Sequence, residues 1–250
     1  MSNSILIIAE IGINWRNMET AKKLIELAKE NGADIAKFQL YDVDKSFSNK
    51  KIVAQHKNWY NEVKKTQLTK EQTFQLAEWC KEVDIEFMAS ASDLERLGWL
   101  EEVGVKRHKV GSSMSENKEL IEAMLNTDKE VIISIPYGIF KFPYYKLPNQ
   151  GKIKFLYCIP RYPTNLNTLD FTPGLFEDLK VAEYSKPFDG FSDHTIGIEA
   201  SMIAMARGAK IIEKHFCLKR DNSNPDMICS IEPGELRQLV NFAKKVKEIL

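Results

Sequence analysis

The residues best placed to do chemistry are two histidines. His194 lies in Ser192-Asp193-His194-Thr195 and His215 in Glu213-Lys214-His215-Phe216, each after a short apolar run that reads as a strand. The chain has only four histidines, and this pair sits among Asp193, Glu213, Asp221 and Asp226. Two imidazoles at the ends of neighbouring strands suit one divalent ion, and imidazole with carboxylate or water ligands favours Mn²⁺, Zn²⁺ or Fe²⁺ over a thiolate-preferring ion. The alternative is that each ring is a hydrogen-bonded core histidine. Cys217 joins the pair only if the strand continues past His215. His56 sits in a polar stretch, and His108, inside a strand beside Lys109, is expected to face away from it.

Residues so far apart in sequence need a scaffold that ends many strands in one place. Short β-rich runs alternate with amphipathic helical stretches throughout, as when parallel strands are joined by crossover helices. Eight strands are predicted, at Ile5–Glu10, Ile35–Gln39, Ile85–Ala89, Arg107–Val110, Glu130–Ser134, Ile153–Cys158, Gly190–Ser192 and Lys210–Lys214. Gly32, Gly104 and Gly208 each close a helix just before a strand. Eight such units in 250 residues predict an α/β fold, a single-domain (β/α)₈ TIM barrel spanning residues 1–250, with a doubly wound open sheet as the alternative. No glycine-rich phosphate loop is present to favour the open sheet. Two connections are irregular. Leu40–Leu68 reads as a long insertion after the second strand, either a lid or a solvated surface, and Pro136–Lys152 reads as a loop where a helix would be expected.

In such a barrel the residues that close each strand share one mouth. Here they are polar: Glu10 on the first strand, Lys37 and Gln39 on the second, and Ser90 just after the third. Lys109 and then Ser112 close the fourth, Ser134 the fifth, and Tyr162 lies just past the sixth. Ser192, Asp193 and His194 end the seventh, Glu213 and His215 the eighth. Two lysines and several hydroxyls converging there would make a phosphate site, since ammonium groups supply charge and hydroxyls supply directional donors. A glutamate closing the Ile-Leu-Ile-Ile-Ala run needs a partner, such as a metal-bound water or one of the lysines.

Composition narrows the ligand. Lysine plus arginine equals aspartate plus glutamate at 35 each, so no net field recruits nucleic acid or an anionic membrane. No segment approaches the roughly 20 apolar residues of a membrane span, and no secretory leader is evident at the N-terminus. Cys80, Cys158, Cys217 and Cys229 lack close spacing, so reduced thiols in a cytoplasmic protein are expected.

The segments Ala9-Glu10-Ile11-Gly12-Ile13-Asn14, Asp34-Ile35-Ala36-Lys37-Phe38-Gln39, Lys109-Val110-Gly111-Ser112, Ser192-Asp193-His194-Thr195 and Glu213-Lys214-His215-Phe216 together resemble the sialic acid synthase family, including its legionaminic and pseudaminic acid synthase relatives. Asn224-Pro225-Asp226, followed by Cys229-Ser230 and Pro233, adds to the likeness. The resemblance implies a transferase that condenses phosphoenolpyruvate with an open-chain N-acyl amino sugar, giving a 2-keto-3-deoxy acid and phosphate with a divalent ion, commonly Mn²⁺. It implies His194 and His215 as metal ligands. Lys37, Ser90, Lys109, Ser112, Ser134 and Ser192 would hold phosphoenolpyruvate; Glu10, Gln39, Tyr162, Glu213 and Asp226 would surround the metal-bound water and the sugar. Glu10 is the candidate for steering the water and Asp226 for proton transfer.

The chain departs from that pattern where the sugar should be read. Trp15 follows Asn14 where a histidine is usual, Met114 stands where many members carry a glutamate, with Glu116 as its substitute, and Pro160 replaces a common asparagine. Ser134-Ile135-Pro136 replaces Ser-Thr-Gly. Many members also carry an antifreeze-like domain after the barrel, and this sequence ends at Leu250. The resemblance implies a homodimer; without that domain, either the sugar is bound differently or a separate chain supplies the cap. The rival readings are a related synthase using a different aldose, non-acylated or phosphorylated, and a non-catalytic barrel that binds a sugar or a partner.

Overall fold

Apolar residues recur along the strands, and backbone pairing closes the eight of them into a ring. In the computed structural model, residues 5–46, 57–136, 150–171, 175–176 and 188–249 are described. The strands are β1 (Leu6–Gly12), β2 (Ile35–Leu40), β3 (Glu86–Ala91), β4 (Arg107–Val110), β5 (Glu130–Pro136), β6 (Ile153–Cys158), β7 (Gly190–Asp193) and β8 (Ile211–His215). Each pairs in parallel with its sequence neighbours, and β1 pairs with β8, so the barrel is closed and the open-sheet alternative is excluded. Every predicted strand is present. Ser90, expected just past the third strand, lies within it, because β3 continues to pair with β2 as far as Ala91.

Side chains alternate across the barrel wall with the period of two that strands impose. Ile8, Ile35, Met88, Ile132, Leu156 and Ile211 point inward and form an apolar layer that fills the interior. Ile7, Ala36, Phe38, Ile133, Phe191 and Ile212 belong to the larger core outside the barrel wall. At the N-terminal end Arg107 joins Glu86 at 2.8 Å and Glu130 at 2.9 Å, linking the starts of three successive strands. Gly190 permits the close approach of β7 to β8, since a Cβ there would lie 2.0 Å from the Ile211 carbonyl oxygen.

The helices are α1 (Met18–Glu30), α2 (Val43–Ser46), α3 (Lys57–Lys65), α4 (Lys70–Glu82), α5 (Leu94–Val103), α6 (Lys118–Leu125), α7 (Glu199–Ala206), α8 (Pro225–Cys229) and α9 (Pro233–Ile249). Helix α1 starts where Asn17 accepts from the Thr20 amide, and it buries Ala21, Leu24, Ile25 and Ala28 on one stripe. Thr69 and Gln72 form a reciprocal cap on α4. Gly32, Gly104 and Gly208 all adopt positive φ, as their place between helix and strand requires. Among the described residues no helix is long and apolar enough to cross a membrane, and the four cysteines are free and buried.

The 40–68 segment is partly helical rather than one long loop. Asp44 on α2 accepts from the Tyr60 hydroxyl and from Lys64 on α3, while Tyr41 donates to the Val63 carbonyl. His56 and most of Pro136–Lys152 lie outside the described residues. His108 faces outward as expected, 3.0 Å from Glu101 and 3.1 Å from Thr127.

Candidate active site

Above the apolar layer the inward positions turn polar, and this change of chemistry along each strand creates the site. Parallel register sets Glu10 beside Lys37 and His215, Ser90 beside Lys109, and Ser192 beside Glu213. These register pairs bring Glu10, Lys37, Ser90, Lys109, Ser192, Glu213 and His215 to one mouth.

A chain of buried charges crosses it. Lys37 donates to Glu10 at 2.6 Å, and Gln39 donates to the other Glu10 oxygen at 2.8 Å. Glu213 lies 3.6 Å from both Lys37 and Lys109 and accepts a 2.7 Å hydrogen bond from Ser192. Lys109 in turn donates to Ser134 at 2.8 Å. Burial opposes ionisation of Glu213, but Lys109, Lys37 and Ser192 outweigh it and hold its pKa at about 2. Burial pushes Glu10 up despite Lys37 and lowers Lys109 despite Glu213. Burial also works against the Lys37 ammonium, yet Glu10 and Glu213 hold it above the ordinary lysine value.

Asp226 enters from α8, whose first turn is fixed by the Asn224 cap and by Pro225. Burial, reinforced by the negative charge of Glu10, raises Asp226 to about 7. Gly12 explains how the two carboxyls come so near. It sits at an irregularity in the β1–β2 register with φ of +53°, and a Cβ there would lie 3.2 Å from Glu10 Oε1 and 3.4 Å from Asp226 Oδ2. The missing side chain leaves the carboxyls a bare backbone floor.

The imidazoles of His194 and His215 lie with ring centroids 5.4 Å apart, and Tyr162 stacks at 4.1 Å on His194. Burial keeps both rings neutral, with His194 lowering His215 further. A neutral ring is the form that ligates a metal. His194 Nδ1 is 3.0 Å from the Ile159 carbonyl oxygen, so Nδ1 carries the proton and Nε2 keeps its lone pair. His215 Nδ1 and Glu213 Oε2 are buried without hydrogen-bond partners, and His215 Nδ1 is 3.7 Å from Asp226 Oδ2. This donor set fits an imidazole-bound divalent ion. Among the described residues no group of three or more His, Cys, Asp or Glu side chains is arranged to hold one unaided.

The outward residues of the same two strands have a different task. Asp193 meets Lys214 at 3.1 Å and accepts from the Ser201 hydroxyl and the Thr195 amide, all fully buried. Asp193, expected near the histidines, is therefore a structural partner of β8 and α7. Asp221 is also displaced, to an exposed pair with Arg16 at 3.0 Å. Glu116 is exposed, and Met114 packs against the outer core, so neither supplies a carboxylate among the buried charges. Cys217 lies beyond the end of β8, its amide donating to the Ile231 carbonyl at 3.0 Å next to the Phe216–Ile231 bridge.

Two parts of the site escaped the sequence reading. Cys158, the last inward residue of β6, lies 3.8 Å from His194 Nδ1 and within hydrogen-bonding reach of Ser112 and Ser192, and burial pushes its thiol up to about 12. The period of two counted from Leu156 would have found it. Asn14, which the sequence offers only as the last residue of the Ala9–Asn14 motif, is buried against Ser230 and Phe216.

Residues 24–250 match the NeuB family. The chain is 32% identical over 261 residues to N,N'-diacetyllegionaminic acid synthase of Campylobacter jejuni, covering 98% of this chain and 77% of that one. It is also 32% identical over 268 residues to human N-acetylneuraminate-9-phosphate synthase, covering 98% and 70%. Among solved structures, an N-acetylneuraminic acid (sialic acid) synthetase from Leptospira borgpetersenii superposes with a TM-score of 0.84 at 30% identity, covering 98% of this chain and 85% of that one.

Proposed function

Because the chain belongs to the NeuB family, we propose that it is a carbon–carbon bond-forming synthase that joins phosphoenolpyruvate to an open-chain N-acyl amino sugar. The products would be a sialic-acid-like 2-keto-3-deoxy acid and inorganic phosphate. One observation carries the reading: two buried lysines, Lys37 and Lys109, are held in line by Glu213 directly beside a pair of neutral imidazoles.

The two ammonium groups, with Ser90, Ser112, Ser134 and Ser192 around them, would receive the phosphate and carboxylate of phosphoenolpyruvate. Their charge is supplied in a dry site, where it counts for more than in water. His194 and His215 would hold a divalent ion, Mn²⁺ by resemblance, which when bound supplies Lewis-acid polarisation of the aldehyde oxygen. The electron pair of the enol double bond forms a bond from C3 to the aldehyde carbon, and the aldehyde oxygen gains a proton. Asp226, with a pKa of about 7, is part-protonated at neutral pH and suits that donation. Water then adds at C2, giving its proton to Glu10, which Lys37 and Gln39 hold in place. Loss of phosphate from C2 leaves the 2-keto acid. Gln39 and Tyr162 are assigned to the sugar side of the mouth.

The packing of Met114 away from the buried charges favours a second reading, a related synthase acting on a different aldose. A phosphate-release assay with phosphoenolpyruvate, Mn²⁺ and a panel of amino sugars tests both. Release stimulated by an N-acyl amino sugar, with a product mass equal to both substrates plus water minus phosphoric acid, is the expected result. If no sugar in the panel stimulates release, the leading proposal fails; stimulation only by a non-acylated or phosphorylated aldose selects the second reading.

A further inference from the structure

Asp226 is delivered to the mouth by α8, a helix of five residues between β8 and α9. A helix that short has little stability of its own in water, yet its carboxyl must keep a fixed relation to Glu10 and His215. The Asn224 cap fixes only the local turn. Cys229 Sγ donates to the Asp226 carbonyl at 3.3 Å and the Ile231 amide to the His215 carbonyl at 2.8 Å, and a further restraint comes from the opposite end of the sequence, at Asn14.

Asn14 is 3% exposed, and both protons of its amide are committed. One goes to Ser230 Oγ at 2.8 Å, the other to the Phe216 carbonyl at 3.1 Å. Ser230 passes the restraint on, its hydroxyl donating at 2.6 Å to the backbone carbonyl of Asp226 itself. The Asn14 backbone is tied to Ile11, and the Phe216 amide donates to the Glu10 carbonyl at 2.8 Å. The chain from Asn14 through Ser230 therefore connects the loop after Glu10, the end of β8 after His215 and the segment carrying Asp226.

We propose that Asn14 and Ser230 form a clamp that sets the position of Asp226 relative to Glu10 and His215, making them positioning residues for proton transfer in the condensation. This rests on the proposed synthase activity for its catalytic consequence, and on the hydrogen-bond geometry alone for the clamp. A clamp of this kind acts on the chemical step, because the lysines and serines assigned to phosphoenolpyruvate are bound to neither residue.

The test uses the full chain as Asn14→Ala, Ser230→Ala and the double variant, with two readouts. Amide hydrogen exchange should show protection lost across residues 224–231 in each variant while the strands stay protected. Steady-state phosphate release should show kcat lowered roughly 10- to 100-fold, KM for phosphoenolpyruvate changed less than about 2-fold, and the double variant no worse than the weaker single, since both break one chain. Unchanged exchange at 224–231 overturns the clamp. Loosened exchange with kcat intact, or a fall confined to KM, overturns the positioning role. If the wild type releases no phosphate with any sugar, the synthase reading and with it the catalytic consequence fail, while exchange still decides the clamp. Ser230→Ala removes one buried oxygen and guards against the case in which Asn14→Ala fails to fold.

Discussion

Replacing Lys37 by methionine isolates the ion pair at the centre of the mouth. Methionine approximates the lysine stem, so the change removes a charge with little change in packing. The ammonium it deletes lies 2.6 Å from Glu10, with the two side chains 4% and 2% exposed. Breaking a buried pair by removing one partner costs about 3–5 kcal/mol, because the other charge is left unsolvated. Gln39 still donates to Glu10, which places the expected loss near the lower end, about 3 kcal/mol. The loss must also depend on pH. Burial already raises Glu10, and without Lys37 its pKa rises further. The folded variant then holds a proton that the unfolded chain, with a glutamate pKa of about 4.3, has released. Such a group favours folding below the unfolded pKa, and that contribution is lost as pH rises towards the folded one. Urea unfolding at pH 5 and pH 8 should show a deficit that is small at the first and near full at the second. The Lys37→Met/Glu10→Gln double variant, carrying no stranded charge, should recover most of it. A single-variant deficit under about 1 kcal/mol, a deficit flat with pH, or a double variant as unstable as the single would each refute the reasoning.

Other expectations follow from the same geometry. Purified protein dialysed against Mn²⁺ should hold about one ion per chain by elemental analysis, and the His194→Ala/His215→Ala variant should hold almost none; retention in that variant would remove the histidines from the metal site. Asp226→Asn should stabilise the fold increasingly from pH 5 to pH 8, by up to about 4 kcal/mol, because the native carboxyl is raised to about 7 and its ionisation is costly; a gain independent of pH would show that the carboxyl is not strained. Ser192→Ala should cost about 1.5–3 kcal/mol in thermal unfolding, since Glu213 loses a hydrogen bond to a charged group. If stability is unaffected, Ser192 does not support Glu213.

How far the sequence could be read is clearest at particular residues. Glu10, Lys37, Lys109 and Glu213 were visible because a charged residue inside an apolar strand is costly and must have company. Their order around the mouth followed from the barrel itself. The opposite shifts of Glu213 and Asp226 were not visible, since burial raises both and the outcome depends on the charges nearby: Lys109 and Lys37 outweigh burial at Glu213, while Glu10 adds to it at Asp226 more than Lys37 offsets. Asp193 was misread because β7 alternates, and its neighbours Ser192 and His194 take the inward positions. The Asn14–Ser230 contact joins residues 216 apart in the chain, and local pattern carries no record of such a pairing. The helix at Lys57–Lys65 is hidden by its composition, since six of its nine residues are charged or amide-bearing and so match the reading of the insertion as a solvated surface.

The buried Asp193–Lys214 pair gives the barrel a way to check its own assembly. Sliding β7 or β8 by one residue would exchange inward and outward positions along that strand. Aspartate or lysine would then enter the mouth without its partner, and an imidazole would be pressed into the outer core. Such a misthreaded barrel would be rejected on energetic grounds before any substrate could test it, so the ion pair on the outer face safeguards the placement of His194 and His215 on the inner one.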